Sequence, residues 1–150
     1  MTRTFLMVLG LSLVTPALAA GFKEVSRDGR YVEYQGDLTL SGRFERLQDS
    51  ITLDWRGDRV CFFPEAAQVK QLPRAFASNK PAMFCFNNTR SAINALGLPP
   101  QPPAGACGMS GTATVSISRY VVENGMGETY DLATFVKADN VTPLKSVLCP

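Results

Sequence analysis

Four cysteines, Cys61, Cys85, Cys107 and Cys149, constrain this chain more than any other feature. They form an even set with no C-x-x-C spacing, and the chain has no histidine, so the usual zinc-ligand patterns are missing and two disulfides are the expected use. Disulfides persist where the compartment is oxidising, and the N-terminus agrees with that. Arg3 precedes an apolar run from Phe5 to Val14, and Ala17 and Ala19 follow as small residues, the order of a secretory signal cut after Ala19. That run is too short to cross a bilayer as a helix, and no later stretch approaches the ~20 apolar residues that would. Residues 1–19 therefore read as a signal peptide and 20–150 as a single mature β-rich domain, periplasmic or secreted, without a membrane span.

Charge narrows the partner classes. Losing Arg3 leaves 14 of the 15 basic residues against 13 acidic ones, a net charge near +1. A nucleic-acid binder normally concentrates an excess of basic residues on one face, so nucleic acid is not an expected partner.

The hydrophobic pattern is mostly that of strands. Residues 20–30 are polar and read as an arm or short edge strand. From Asp37 to Leu47, the apolar Leu38, Leu40 and Phe44 recur with period 2, and Gly42 in the same phase predicts a bulge or bend. Ile51–Trp55 and Arg59–Phe63 read as a hairpin around Arg56-Gly57-Asp58, and Pro64 ends its second strand. Glu65–Asn79 reads as a long excursion, and Pro81–Phe86 as a short apolar strand. Asn87-Asn88-Thr89 offers cap residues, with Asn87 the expected cap. Ala92, Ile93 and Leu96 then share one helical face before Gly97, which predicts a two-turn helix. The proline-rich stretch 98–106 is a stiff crossover.

The clearest periodicity lies in the C-terminal third. Ala113, Val115, Ile117 and Val121 alternate with more polar neighbours, interrupted in the inward phase by Arg119, and Asn124-Gly125 predicts a turn into a partner strand from Thr129 to Ala138. The tail from Asp139 reads as a loop tethered by Cys149. In order, these elements resemble the small five-stranded oligonucleotide/oligosaccharide-binding (OB) barrel, in which one short helix lies between the third and fourth strands. The resemblance is one of topology over residues 37–138; a β-sandwich or an open α+β sheet is the alternative. Cys61 and Cys85 occupy similar places in neighbouring strands and are the preferred first pair. Cys107 and Cys149 lie at neighbouring chain ends and are the second. The rival set joins Cys61 to Cys149 and Cys85 to Cys107.

Chemistry is sparse in the sequence. Without histidine, Ser-His and Cys-His nucleophiles do not exist, and no catalytic residue, metal site or cofactor is expected. The one enzymatic alternative is a small hydrolase of envelope polymer using a carboxylate pair, Asp54 with Asp58 or Glu123 with Glu128. Arg56-Gly57-Asp58 matches an integrin-type tripeptide, and Asn87-Asn88-Thr89 and Asn140-Val141-Thr142 match the N-glycosylation pattern. The candidate binding residues are Arg43, Trp55 and Tyr120, joined by Tyr31 and Tyr34 in an aromatic and cationic face, a mixture that also serves for ordinary packing. The expected function is an exported non-enzymatic binding or inhibitory module. It would engage a protein or small ligand of the cell envelope through one sheet face and the 65–79 excursion.

Overall fold

The computed structural model describes residues 21–47, 58–73, 82–124 and 130–149. The expected signal segment, the Ile51–Trp55 run, residues 74–81 and the expected turn at Gly125–Glu128 lie outside the described residues.

The strands are β1 (Lys23–Asp28), β2 (Tyr31–Leu47), β3 (Val60–Pro64), β4 (Phe84–Phe86), β5 (Ala106–Glu123), β6 (Asp131–Asp139) and β7 (Lys145–Leu148), with helix α1 (Thr89–Ala95) between β4 and β5. They form one sheet in the order β1-β2-β3-β4-β6-β5-β7, and a further pairing of β2 with β5 closes β2, β3, β4, β6 and β5 into a ring. Within the ring β4 and β6 are parallel and every other neighbour is antiparallel. The fold is thus mainly β and OB-like, with its one helix between the third and fourth ring strands. Two elements lie outside the ring: β1, exposed along its whole length and hairpinned to β2, and β7 on the first residues of β5.

The ring closes over phenylalanines. Phe44, Phe62, Phe84 and Phe86 are fully buried with Leu40, Val115 and Ile117, and Phe62, Phe84 and Phe86 touch one another at centroid separations of 5.5–6.4 Å. The helix covers one end of the ring, burying Ala92 and Leu96. It stops where glycine can take a positive φ: Gly97 sits at +65°, with Leu98 N–H donating to Ile93 O and Gly97 N–H to Asn94 O, a Schellman cap.

Several expectations are corrected. The bend lies at Gly36, not Gly42. Gly36 and Asp37 lie where the β2–β5 register shifts, and Gly36 has φ 150°, close against the Gly21 and Phe22 backbone. Gly42 is glycine for closeness instead, since a Cβ there would strike the Phe63 carbonyl and the Phe62 ring. On β5, Ser118 is skipped in both registers, and the buried phase changes from odd (Ala113, Val115, Ile117) to even (Tyr120, Val122). Arg119 and Val121 are therefore turned outward and Tyr120 inward.

β3 is flanked by β2 and β4, so the expected hairpin with 51–55 is not its described pairing. At the helix start Asn88, not Asn87, is the cap residue, and its amide works elsewhere: it accepts from Phe135 N–H and donates to Phe135 O, both at 2.8 Å. The loop-like tail contains a strand, β7.

The disulfides join Cys61 to Cys85, directly opposite each other on β3 and β4, and Cys107 to Cys149, with Cα separations of 3.9 and 4.9 Å. These are the pairs preferred from the sequence, and they are compatible with an oxidising extracellular environment.

Candidate functional site

The outward face of β2 and β5 is built by alternation. With Leu40 and Phe44 pointing into the core, Thr39, Ser41, Arg43 and Glu45 must point out, and register places Ser116, Thr114, Thr112 and Ser110 opposite them. The hydroxyls meet in cross-strand pairs, Thr39 with Ser116 at 2.9 Å and Ser41 with Thr114 at 3.1 Å. Two adjoining clefts open on this face and share Arg43 and Thr112. One, of about 540 Å³, lies between Ser41, Phe63, Glu65, Thr114 and Asn140. The other, of about 310 Å³, is lined by Ser110, Gly111, Thr142, Pro143 and Lys145 as well.

Neighbouring elements fix the walls. Arg43 lies over the Phe63 ring, Cζ 4.2 Å from its centroid, and pairs with Glu45 on its own strand, two contacts that fix where its guanidinium sits. The start of the 65–79 excursion is pinned here: Gln68 accepts from Ser41 N–H at 2.6 Å, and Glu65 N–H donates to Ser41 O at 2.9 Å. On the other side the chain turns at Asn140, φ +54°, a conformation asparagine tolerates better than most residues. Thr142 then clasps β5: its N–H donates to Thr112 O, and its Oγ1 accepts from Thr112 N–H, both at 2.9 Å. The Asn140-Val141-Thr142 triplet thus has a structural task, a turn followed by a clasp.

Of the three candidate binding residues, Arg43 sits at the junction of the clefts. Tyr120 does not belong to this face. It is fully buried, packs on Phe84 and Phe22, and donates its hydroxyl to Asp131 Oδ2 at 2.7 Å. Trp55 lies outside the described residues. Tyr31 and Tyr34 stand far along β2 from Arg43, beyond the bulge. Phe63, Thr112 and Lys145 were not singled out from the sequence, and Thr142 only as part of a glycosylation pattern; the visible signal was the pair of hydroxyl-rich outward phases, Thr39–Arg43 and Ser110–Ser116.

The described carboxylates are not brought together. Asp58 is gripped by buried Arg46, Nε to Oδ1 at 2.9 Å and Nη2 to Oδ2 at 3.1 Å, while Arg46 Nη1 donates to Pro99 O at 2.8 Å. Each oxygen of Asp58 thus accepts one Arg46 bond, which ties Asp58 to β2; Arg56 and Gly57 lie outside the described residues. Glu123 is at the far end of β5, 2.8 Å from Arg30. Asp54 and Glu128 lie outside the described residues. Among the described residues there is no cluster of metal-ligating side chains, and no helix is long and apolar enough to cross a membrane.

Arg119, turned outward by the bulge, forms a two-pronged bridge to Glu33 on β2, 2.6 Å in each arm. Its hydrogen bonds hold the Glu33 carboxyl below the ordinary glutamate pKa. The stabilisation is therefore fully present above about pH 4.3 and is lost as pH falls through the lower folded-state value. Arg119→Gln should return the Glu33 carboxyl midpoint, followed by NMR, to the ordinary range. The stability difference between the two proteins at about pH 6 should also vanish near pH 2. A midpoint indifferent to Arg119 would contradict the bridge.

Comparison with family models, with curated proteins and with solved structures returns no match for this chain.

Proposed function

We propose that the chain is an exported, non-enzymatic binding module of the periplasm or secreted space that holds a hydroxyl-rich envelope ligand of the saccharide type on the outward face of β2 and β5. The observation that carries this reading is the pair of adjoining clefts meeting at Arg43, lined by hydroxyls and an aromatic ring. Hydroxyls both donate and accept, as sugar hydroxyls do. Arg43 adds planar, directional donors already held in place by Phe63 and Glu45, so little conformational freedom remains to be lost on binding. The pinning of Gln68 against Ser41 puts the start of the 65–79 excursion beside the same face.

The test is a two-dimensional NMR titration of the oxidised protein with fragments of cell-wall and capsular glycan. Saturable shifts should cluster at Ser41, Arg43, Thr112 and Thr114. Arg43→Ala should weaken binding tenfold or more, the loss expected for one charge-assisted hydrogen bond, with the fold retained because the side chain is exposed. Shifts scattered over the surface, an affinity unaffected by Arg43→Ala, or hydrolysis of the fragment during the titration would overturn the proposal.

A further inference from the structure

The two clefts differ in charge, and the difference names a feature of the ligand. The larger contains Glu65 beside Arg43. The smaller is lined by Arg43, Lys145 and the hydroxyl residues Ser110, Thr112 and Thr142, with no carboxylate in its lining. Register explains how Lys145 arrives there: Ser110 pairs with Glu45 on one side and with Lys145 on the other, so all three stand in one row across β2, β5 and β7. Glu45 is already committed to Arg43 within β2, and Lys145, a full strand further away, forms no ion pair among the described residues. The cleft lining thus has two cations and three hydroxyl residues, while Glu45, the ion-pair partner of Arg43, is not part of it.

We propose that this smaller cleft seats an oxyanion of the ligand, so that the module recognises an acidic rather than a neutral saccharide. The inference rests on the proposed function and adds the charge. Lys145 supplies a mobile point charge and Arg43 a fixed, planar set of donors, a combination suited to a carboxylate, a sulfate or a phosphate group. The Ser110 hydroxyl adds a donor to an oxygen that leaves water, while the hydroxyls of Thr112 and Thr142 stay engaged in their own clasp. The neighbouring larger cleft then takes the uncharged hydroxylated part of the same molecule.

Three probes separate the sources of such an oxyanion: glucuronate, orthophosphate and neutral glucose, each titrated into the oxidised full domain while the amides of Gly111, Thr112 and Thr142 are followed by NMR. Glucuronate, orthophosphate or both should give saturable shifts there, weakened tenfold or more by Lys145→Gln and by 0.5 M salt, and largely kept by Lys145→Arg. Lys145 is exposed, so both variants should fold, which a thermal melt checks. Binding of an anion unchanged by Lys145→Gln, or no saturable shift with either anion, overturns the oxyanion seat. Glucose moving Thr114 and Asn140 while both anions fail would leave the saccharide reading standing and remove this inference alone. Orthophosphate binding at Lys145 without any saccharide binding would keep the oxyanion seat and remove the saccharide.

Discussion

Tyr120→Phe should lower the unfolding free energy by about 1–3 kcal/mol, and Tyr120→Ala by about 3–5 kcal/mol, with neither changing affinity at the Arg43 clefts. The first figure follows from one atom. The Tyr120 hydroxyl donates at 2.7 Å to Asp131, a carboxyl group only 2% exposed, and removing that donor takes a hydrogen bond from a polar group that water does not reach. The second adds the cavity. Tyr120 is fully buried, its ring edge-on to Phe84 at 5.6 Å and tilted against Phe22 at 5.8 Å, so truncation empties the space where the β1 approach, β4 and β5 meet. Urea melts of the oxidised protein measure both. For a domain of about this size each kcal/mol corresponds to roughly 3–5 °C in Tm. A Tyr120→Phe protein as stable as the parent, but defective in ligand binding, would return Tyr120 to the binding face on which its aromatic character alone had placed it.

Tyr120 also shows why part of the fold was legible and part was not. Period-2 alternation needs only local sequence, and it located the cores of β2 and β5. The apolar face of the helix and its stop at Gly97 were equally local. The inward direction of Tyr120 was not, because it depends on Ser118 being skipped by both neighbouring strands, a property of pairing between segments some 80 residues apart. Gly36 and Gly42 illustrate the same limit: a glycine in a strand announces a special position, but only the approach of Phe62 and Phe63 distinguishes a crowded one from a bent one. The Asn87-Asn88-Thr89 run announces a helix start because caps are chemically local, yet the expected cap is Asn87 where the structure has Asn88. What the Asn88 amide does, bonding both ways to the backbone of Phe135, requires β6 to pass alongside.

The binding face divides in the same manner. Arg43 stands out in the sequence as the cation of an aromatic face, but the partners it meets in the structure are hydroxyl residues and Phe63 rather than Trp55 or the tyrosines. Thr112 and Lys145 join it only through a ring closure and a returning tail, and neither leaves a local signature. β7 is the extreme case. Four residues with an almost wholly exposed pattern carry no hydrophobic period, and what makes them a strand is their pairing with the start of β5, beside the covalent tie at Cys149.

That tie should behave differently from its counterpart. The bridge between Cys61 and Cys85 lies within the ring at 2% and 0% exposure, whereas Cys107 is buried but Cys149 is exposed at the end of β7. A soluble dithiol, oxidised to its cyclic disulfide as it delivers two electrons, should therefore reduce Cys107–Cys149 at least about tenfold faster, because reaching Cys61–Cys85 requires the ring itself to open. Alkylation followed by mass spectrometry counts the two events. By loop-closure entropy alone, sequence separations of 24 and 42 residues correspond to about 3.5 and 4 kcal/mol respectively. The replacement pair Cys61→Ala and Cys85→Ala should lose at least the first of these, a large part of a small domain's 5–15 kcal/mol. The pair Cys107→Ala and Cys149→Ala should lose less than the second, since a freed β7 buries little and regains entropy by fraying. The Thr112–Thr142 clasp keeps the preceding loop in place, so the fraying should start after Pro143 and carry Lys145 away from Ser110. Selective reduction should consequently speed amide exchange in β7 and weaken the oxyanion-dependent part of binding, while the Ser41–Thr114 side of the face keeps its contacts with the uncharged part of the ligand. Equal alkylation of all four cysteines, or a β7 as protected after reduction as before, would show that the strand is held by its own pairing and that the sulfur bridge is incidental to the site.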